Sequence, residues 1–121
     1  RVKTPIAEIA SGSVVKVKAD DPIALAVDRL DLSNKHGLVV VEGDFPIGVF
    51  DQSCALQSRR LPPNTAVEHA MDVRILILPG GIGIGRAAEQ ALSMNVRRIL
   101  IESDLGVKGI VGGLDFARVM G

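Results

Sequence analysis

The sequence predicts an α/β fold built from two pseudo-symmetric β-α-β-β-α repeats. Three observations carry that prediction. Short runs rich in Val and Ile alternate with apolar residues at helical spacing, as in strands interleaved with helices. The chain aligns on itself without a gap at a shift of about 60 residues. A Pro-rich stretch, Ser58-Arg59-Arg60-Leu61-Pro62-Pro63-Asn64, separates the two halves. The division is therefore a first repeat over 1–57, a linker over 58–64 and a second repeat over 65–121. A half of about 55 residues cannot bury a sheet alone, so the two are expected to pack sheet to sheet around one core.

Each half reads in the same order. A short helical turn opens it, over Ile6–Ala10 or Val67–Met71. A strand follows, Val14–Lys18 or Arg74–Leu78. Ala19-Asp20-Asp21-Pro22 then offers an aspartate N-cap and a proline at the first helical position. The helix Ile23–Leu32 is apolar at Ile23, Ala26, Val27 and Leu30, and its counterpart Ile84–Met94 at Ala87, Ala88, Ala91 and Leu92. Asn34 falls on Asn95. A buried-type strand comes next, Leu38–Val41 or Ile99–Ile101. Tight turns follow, Glu42-Gly43-Asp44 and Ser103-Asp104-Leu105-Gly106. The last strand is Ile47–Phe50 or Lys108–Val111.

Composition narrows the function. With 121 residues, 47% of them hydrophobic, the chain has ample material for a core. Fourteen basic residues balance fourteen acidic ones, which leaves no global field for nucleic acid or an anionic membrane. Three Phe and no Tyr or Trp leave few platforms for base stacking. One cysteine, Cys54, excludes an internal disulfide and a Cys-based zinc site, and two histidines do not make a His-only metal site. No apolar run approaches about 18 residues, so no membrane insertion is expected. With no signal peptide in view, the expected setting is cytoplasmic.

The repeat order and the segment Gly109-Ile110-Val111-Gly112-Gly113-Leu114-Asp115 together resemble a tandem cystathionine-β-synthase (CBS) domain pair, often called a Bateman module. The resemblance covers essentially the whole chain. The family often writes this segment Gly-x-x-Thr/Ser-x-x-Asp. The resemblance implies a regulatory module without catalytic residues. It would bind an adenosyl ligand (AMP, ADP, ATP or S-adenosylmethionine) and sense it for an attached or partner protein. Asp115 would hold the ribose hydroxyls. Gly112 and Gly113, with Arg97 or Arg98, would meet the phosphates, and Leu114 belongs to the same ligand-binding stretch. Val73 and Ile75 would flank the adenine. His36 takes the matching place to Arg97 in the first half. No cofactor is required under this reading, and a homodimer is expected from the family.

The sequence departs from the family pattern at named places. Gly112 stands where a hydroxyl residue is usual, and glycine still lets a backbone N–H approach a phosphate. In the first half the frame is Gly48-Val49-Phe50-Asp51-Gln52-Ser53-Cys54, with an acid at the phosphate position and a thiol at the ribose position. Val39 and Leu100 replace the proline common in the central strand.

Plainer roles compete for several of these residues. Asp115 also suits an N-cap. Arg97 and Arg98 also suit a solvated strand entry. Asp20, Asp21, Asp28 and Asp31 could gather a hard cation, but helix capping and a solvent face explain them better. Cys54 reads as a structural thiol. Two other functions stay open. One is a structural dimerisation module with no tight ligand. The other is a dinucleotide-binding enzyme fragment, because Gly83-Ile84-Gly85-Arg86-Ala87-Ala88 fits G-x-G-x-x-A between a strand and a helix, with Glu102 beyond it.

Overall fold

The computed structural model describes residues 3–12, 14–30, 36–104 and 106–120. Among the described residues, ten regular elements follow in order: β1 (Lys16–Lys18), α1 (Ile23–Arg29), β2 (Leu38–Glu42), β3 (Phe45–Phe50), α2 (Gln52–Gln57), β4 (Ile75–Leu78), α3 (Ile84–Ser93), β5 (Arg98–Ser103), β6 (Gly106–Gly112) and α4 (Gly113–Met120). A single 3-10 turn precedes each set, at Ile6–Glu8 and at Val67–His69. The fold class and element order are those expected. The strands form two three-stranded sheets, β1-β2-β3 and β4-β5-β6. In each sheet the first pair is parallel and the second antiparallel. The register also slips at matching places, between Val40 and Val41 and between Ile101 and Glu102.

The compact units are not the sequence repeats. Residues 15–73 form one, and residues 1–14 with 74–121 form the other. Each unit thus carries the opening segment of the opposite repeat. In the second unit, Ile6 N–H donates to Ile82 O at 2.7 Å and Ala7 N–H to Gly80 O at 3.1 Å. Ile84 N–H donates to Thr4 O, and Ser11 and Ile110 exchange both main-chain bonds. In the first unit the same pattern recurs. Val67 N–H donates to Asp21 O, Glu68 N–H to Ala19 O and Ile23 N–H to Thr65 O, while Val49 and Asp72 exchange both.

These opening segments explain why the helix starts differ from expectation. Pro22 occupies the N-cap of α1 rather than its first turn, and no side chain caps the helix. The Thr65 carbonyl accepts the first N–H instead, so no aspartate is needed there. Asp21 turns back to accept from Lys18 N–H at 2.9 Å. Asp28 is exposed, and Asp31, Leu32, Asn34 and Lys35 lie outside the described residues. At the far end of α3, Asn95 sits at φ 54°, with Asn95 N–H donating to Leu92 O and Val96 N–H to Ala91 O. That is a Schellman close, which a left-handed asparagine permits.

Each unit has its own core. In residues 15–73, Val17, Ile23, Leu38, Val40, Phe50 and Val67 cluster in the interior. In the other unit, Ile6, Leu78, Ile84, Ile99, Ile101 and Val111 do so, with Phe116 and Val119 of α4 packed on them. Leu100 lies between Ile99 and Ile101 on the strand and is fully buried as well. Successive side chains face opposite sides of a strand, so β5 is apolar on both faces. Val39 does the same in β2. The uninterrupted runs Leu38–Val41 and Ile99–Ile101 are therefore those of central strands.

Candidate functional site

The second unit gathers most of the expected site residues at one end of its sheet. Arg98 pairs with Ile75 on β4 and with Gly112 on β6, so these three form one row across the sheet. Arg97 and Arg98 both direct their N–H groups at Arg74 O, at 2.8 and 3.4 Å. The Arg98 guanidinium donates through Nη1 to Arg97 O at 3.2 Å. Arg98 is half-buried and Arg97 exposed. From Gly112 the chain passes straight into α4. A Cβ on Gly113 would meet nothing within 4 Å, so this helix start faces open space.

Asp115 is not the N-cap. It stands in the first turn of α4, and one carboxylate oxygen accepts from Gly112 N–H at 2.9 Å. This is the returning arm of a capping box, in which a third-position acid satisfies the N–H of the capping residue. It holds the carboxylate against the strand end. Leu114 projects outward and is 70% exposed.

Two expected site residues belong to the other unit. Val73 is exposed, and His36 is half-buried in the turn before β2. The matching end of that unit is built differently. Gly37 stands where Arg98 stands, at φ +88°. Its Cβ position lies 2.6 Å from Phe50 O and 2.9 Å from Asp51 Cα, so no side chain fits there. Asp51 is the N-cap of α2 and accepts from Cys54 N–H at 2.9 Å. Cys54 is buried with its Sγ directed at Val49 O, and burial pushes its thiol up to about 11. A neutral, enclosed thiol is a poor nucleophile and a poor metal ligand. Among the described residues, no group of three or more His, Cys, Asp or Glu side chains is placed to hold a metal ion.

Sequence reasoning missed the cavities beside the helices. One of about 500 Å³ lies between α3 and α4, lined by Ala91, Val96, Ile99, Val111 and Phe116, with Arg97, Arg98 and Gly113 also on its wall. A second, of about 430 Å³, lies between α1 and α2 against Ile23, Val27, Ala55 and Leu56. The signal was present in the sequence as helix-face alanines, which leave room beside a helix. A third cavity, of about 690 Å³, flanks Gly83, Gly85, Arg86 and Lys3. It sits on the glycine motif of the dinucleotide reading. However, β5 turns back antiparallel into β6 and, among the described residues, the sheet has three strands, unlike the continuing parallel order of a dinucleotide fold.

The fold is that of a CBS-domain pair. The CBS domain of a CBS-domain-containing membrane protein from Sphaerobacter thermophilus superposes with a TM-score of 0.79 at 19% identity, covering 97% of this chain and 88% of that one. A CBS domain pair solved in complex with 5′-methylthioadenosine and S-adenosyl-L-methionine also gives 0.79 at 19% identity, over 98% of this chain and 96% of that one. An uncharacterised conserved protein from Pyrococcus horikoshii gives 0.79 at 21% identity, over 99% and 94%. A scan against protein-family models finds no match. A search of curated proteins finds none either. Among the described residues, no helix is long and apolar enough to cross a membrane.

Proposed function

We propose that the chain is a non-catalytic regulatory module of the cytoplasm. It binds an adenosyl ligand at the Arg98–Asp115 end of the second unit and reports its presence to an attached or partner protein. One observation carries this reading: Ile75, Arg98 and Gly112 form a single row that ends on a helix start, with Asp115 drawn back against it. The helix start and the arginines suit phosphate or carboxylate, and the Asp115 carboxylate suits vicinal hydroxyls. That a solved pair of the same fold holds two adenosyl compounds supports the ligand class. The first unit offers no equivalent, because Gly37, Asp51 and Cys54 fill that end with backbone, a buried acid and a buried thiol. Regulation follows if ligand favours one of two packings of the module.

The test is a thermal-shift series with AMP, ADP, ATP, S-adenosylmethionine and NAD, on the native chain and on Asp115→Ala. Ligand at 100 times its dissociation constant adds about 2.7 kcal/mol to stability. An adenosyl-dependent shift that Asp115→Ala abolishes supports the proposal. No shift with any of the five refutes it.

A second reading, a dimerisation module, is favoured by the exposed apolar side chains on the helices. Leu92 is 84% and Leu56 62% exposed, both on walls of the helix-side cavities or next to them. A symmetric partner would cover them. Sedimentation of the native chain against Leu56→Ser/Leu92→Ser tests it: loss of a dimer supports this reading, and a native monomer refutes it.

A further inference from the structure

We propose that residues 4–11 are a separable strap. They undock from residues 74–120 in one step, uncover the outer edge of β6, and leave residues 15–73 folded. The inference does not depend on any ligand.

The strap is fastened by a small, defined set of contacts. Among the described residues, five main-chain hydrogen bonds, the fully buried Ile6 and the partly buried Ile9 and Ala10 hold it. Two glycines mark its path. A Cβ at Gly80 would lie 2.9 Å from Ala7 Cβ, and a Cβ at Gly109 would lie 3.0 Å from Ala10 Cβ. Both are closer than side chains normally approach, so the glycines make room for the strap.

Its connection differs from that of its counterpart. Residues 65–72 fasten to a unit that is continuous in sequence, 15–73. Residues 4–11 fasten to 74–121 only after the chain has run through the whole other unit. The strap is therefore joined to its own unit through the folded residues 15–73, and its release breaks no continuity of chain within 74–120.

Release has a local structural result. Ile84 N–H, at the start of α3, loses the Thr4 carbonyl. Ile110 N–H, two residues before Gly112 on β6, loses the Ser11 carbonyl. The central strand β5 keeps both of its neighbours. The strap thus stiffens the strand that leads into Gly112 and Asp115.

Residue-resolved hydrogen exchange on the full chain tests this. Ile6, Ala7, Ser11, Ile84 and Ile110 should share one protection factor, at least about tenfold below that of the β5 centre, because sub-global opening exposes a contiguous set together. Gly80→Ala should lower that shared value further and leave Val49 and Val67 of the other unit unchanged. Adding Ala7→Gly should restore most of it by removing the opposing Cβ. If Gly80→Ala fails to fold, Ile6→Val provides the milder perturbation with the same expected set. Ile84 and Ile110 exchanging together with the β5 centre would overturn the proposal. So would equal acceleration of Val49 and Val67.

Discussion

Gly37→Ala tests whether the first unit is closed where the second is open. Gly37 has φ +88°, and its Cβ position meets Phe50 O at 2.6 Å, Asp51 Cα at 2.9 Å and Asp51 Cβ at 2.9 Å. An L side chain in left-handed backbone costs about 1–2 kcal/mol. Overpacking against backbone that cannot swing away adds about 1–3 kcal/mol. The expected loss is therefore about 2–5 kcal/mol, a large share of the roughly 5–15 kcal/mol that holds a domain together. Gly43→Ala is the control. Gly43 also has a positive φ, +62°, but its Cβ position meets nothing within 4 Å. Its loss should be only the conformational part, about 1–2 kcal/mol. Near this chain length 1 kcal/mol moves Tm by roughly 4 °C. Gly37→Ala should thus melt roughly 8–20 °C lower than native, and Gly43→Ala roughly 4–8 °C lower. Urea midpoints read at constant m-value would confirm that stability has changed and not the unfolded state. Equal losses in the two variants would refute the reasoning, because they would show that the close approach at Phe50 and Asp51 carries no cost.

Two other predictions concern the same end of the first unit. Asp51→Ala removes the acceptor of Cys54 N–H and should cost about 1 kcal/mol or more, while Asp51→Asn, which keeps an acceptor, should recover part of it in urea unfolding. The Cys54 thiol is raised to about 11 by burial, so the folded state favours the neutral thiol. Its contribution is complete below the ordinary thiol value, about 9, and is lost as pH rises toward 11. The stability difference between native and Cys54→Ala should therefore shrink between about pH 9 and 11, and a constant difference would contradict the enclosed thiol.

Much of the fold was legible because periodicity reports burial. The runs at Leu38–Val41 and Ile99–Ile101 are buried on both faces, and such strands cannot be mistaken for half-exposed ones. Gly43 and Gly106, both at positive φ, mark the two hairpins. The compact units were not legible. A repeat in sequence records duplication, whereas compactness depends on which segment fills which sheet edge. Ile6 reads as the start of the opening helical turn of its own repeat, yet it is buried with Ile84 and Ile101. The helix caps were misplaced for the same reason. At α1 the Thr65 carbonyl takes the N–H that a local aspartate was expected to satisfy, and at α3 the Thr4 carbonyl takes the corresponding Ile84 N–H. The one sequence trace of this arrangement is the set of glycines at 48, 80 and 109, each of which faces an opening segment closely.

For the candidate site, the sequence pointed to a stretch of chain and not to a geometry. Residues 51 and 54 match residues 112 and 115 in the repeat, and the two pairs divide a capping box between them. In the first unit the acid is the N-cap, turned inward to Cys54 N–H and 6% exposed. In the second the acid has moved to the third helical position and reaches back to Gly112 N–H. Both arrangements satisfy one helix-end group, so both serve the fold. They differ in what they leave at the strand end. An N-cap acid places negative charge on the helix axis, where an anion would otherwise approach. A third-position acid clears the axis, leaves glycine there, and sets its carboxylate to one side. Arg97 and Arg98 then stand at this end, whereas Gly37 removes the side chain from the matching place in the first unit. The fold thus tolerates either half of the box. Under the proposed function, the half chosen decides which end can take an anionic ligand, and this chain has made that choice differently in its two units.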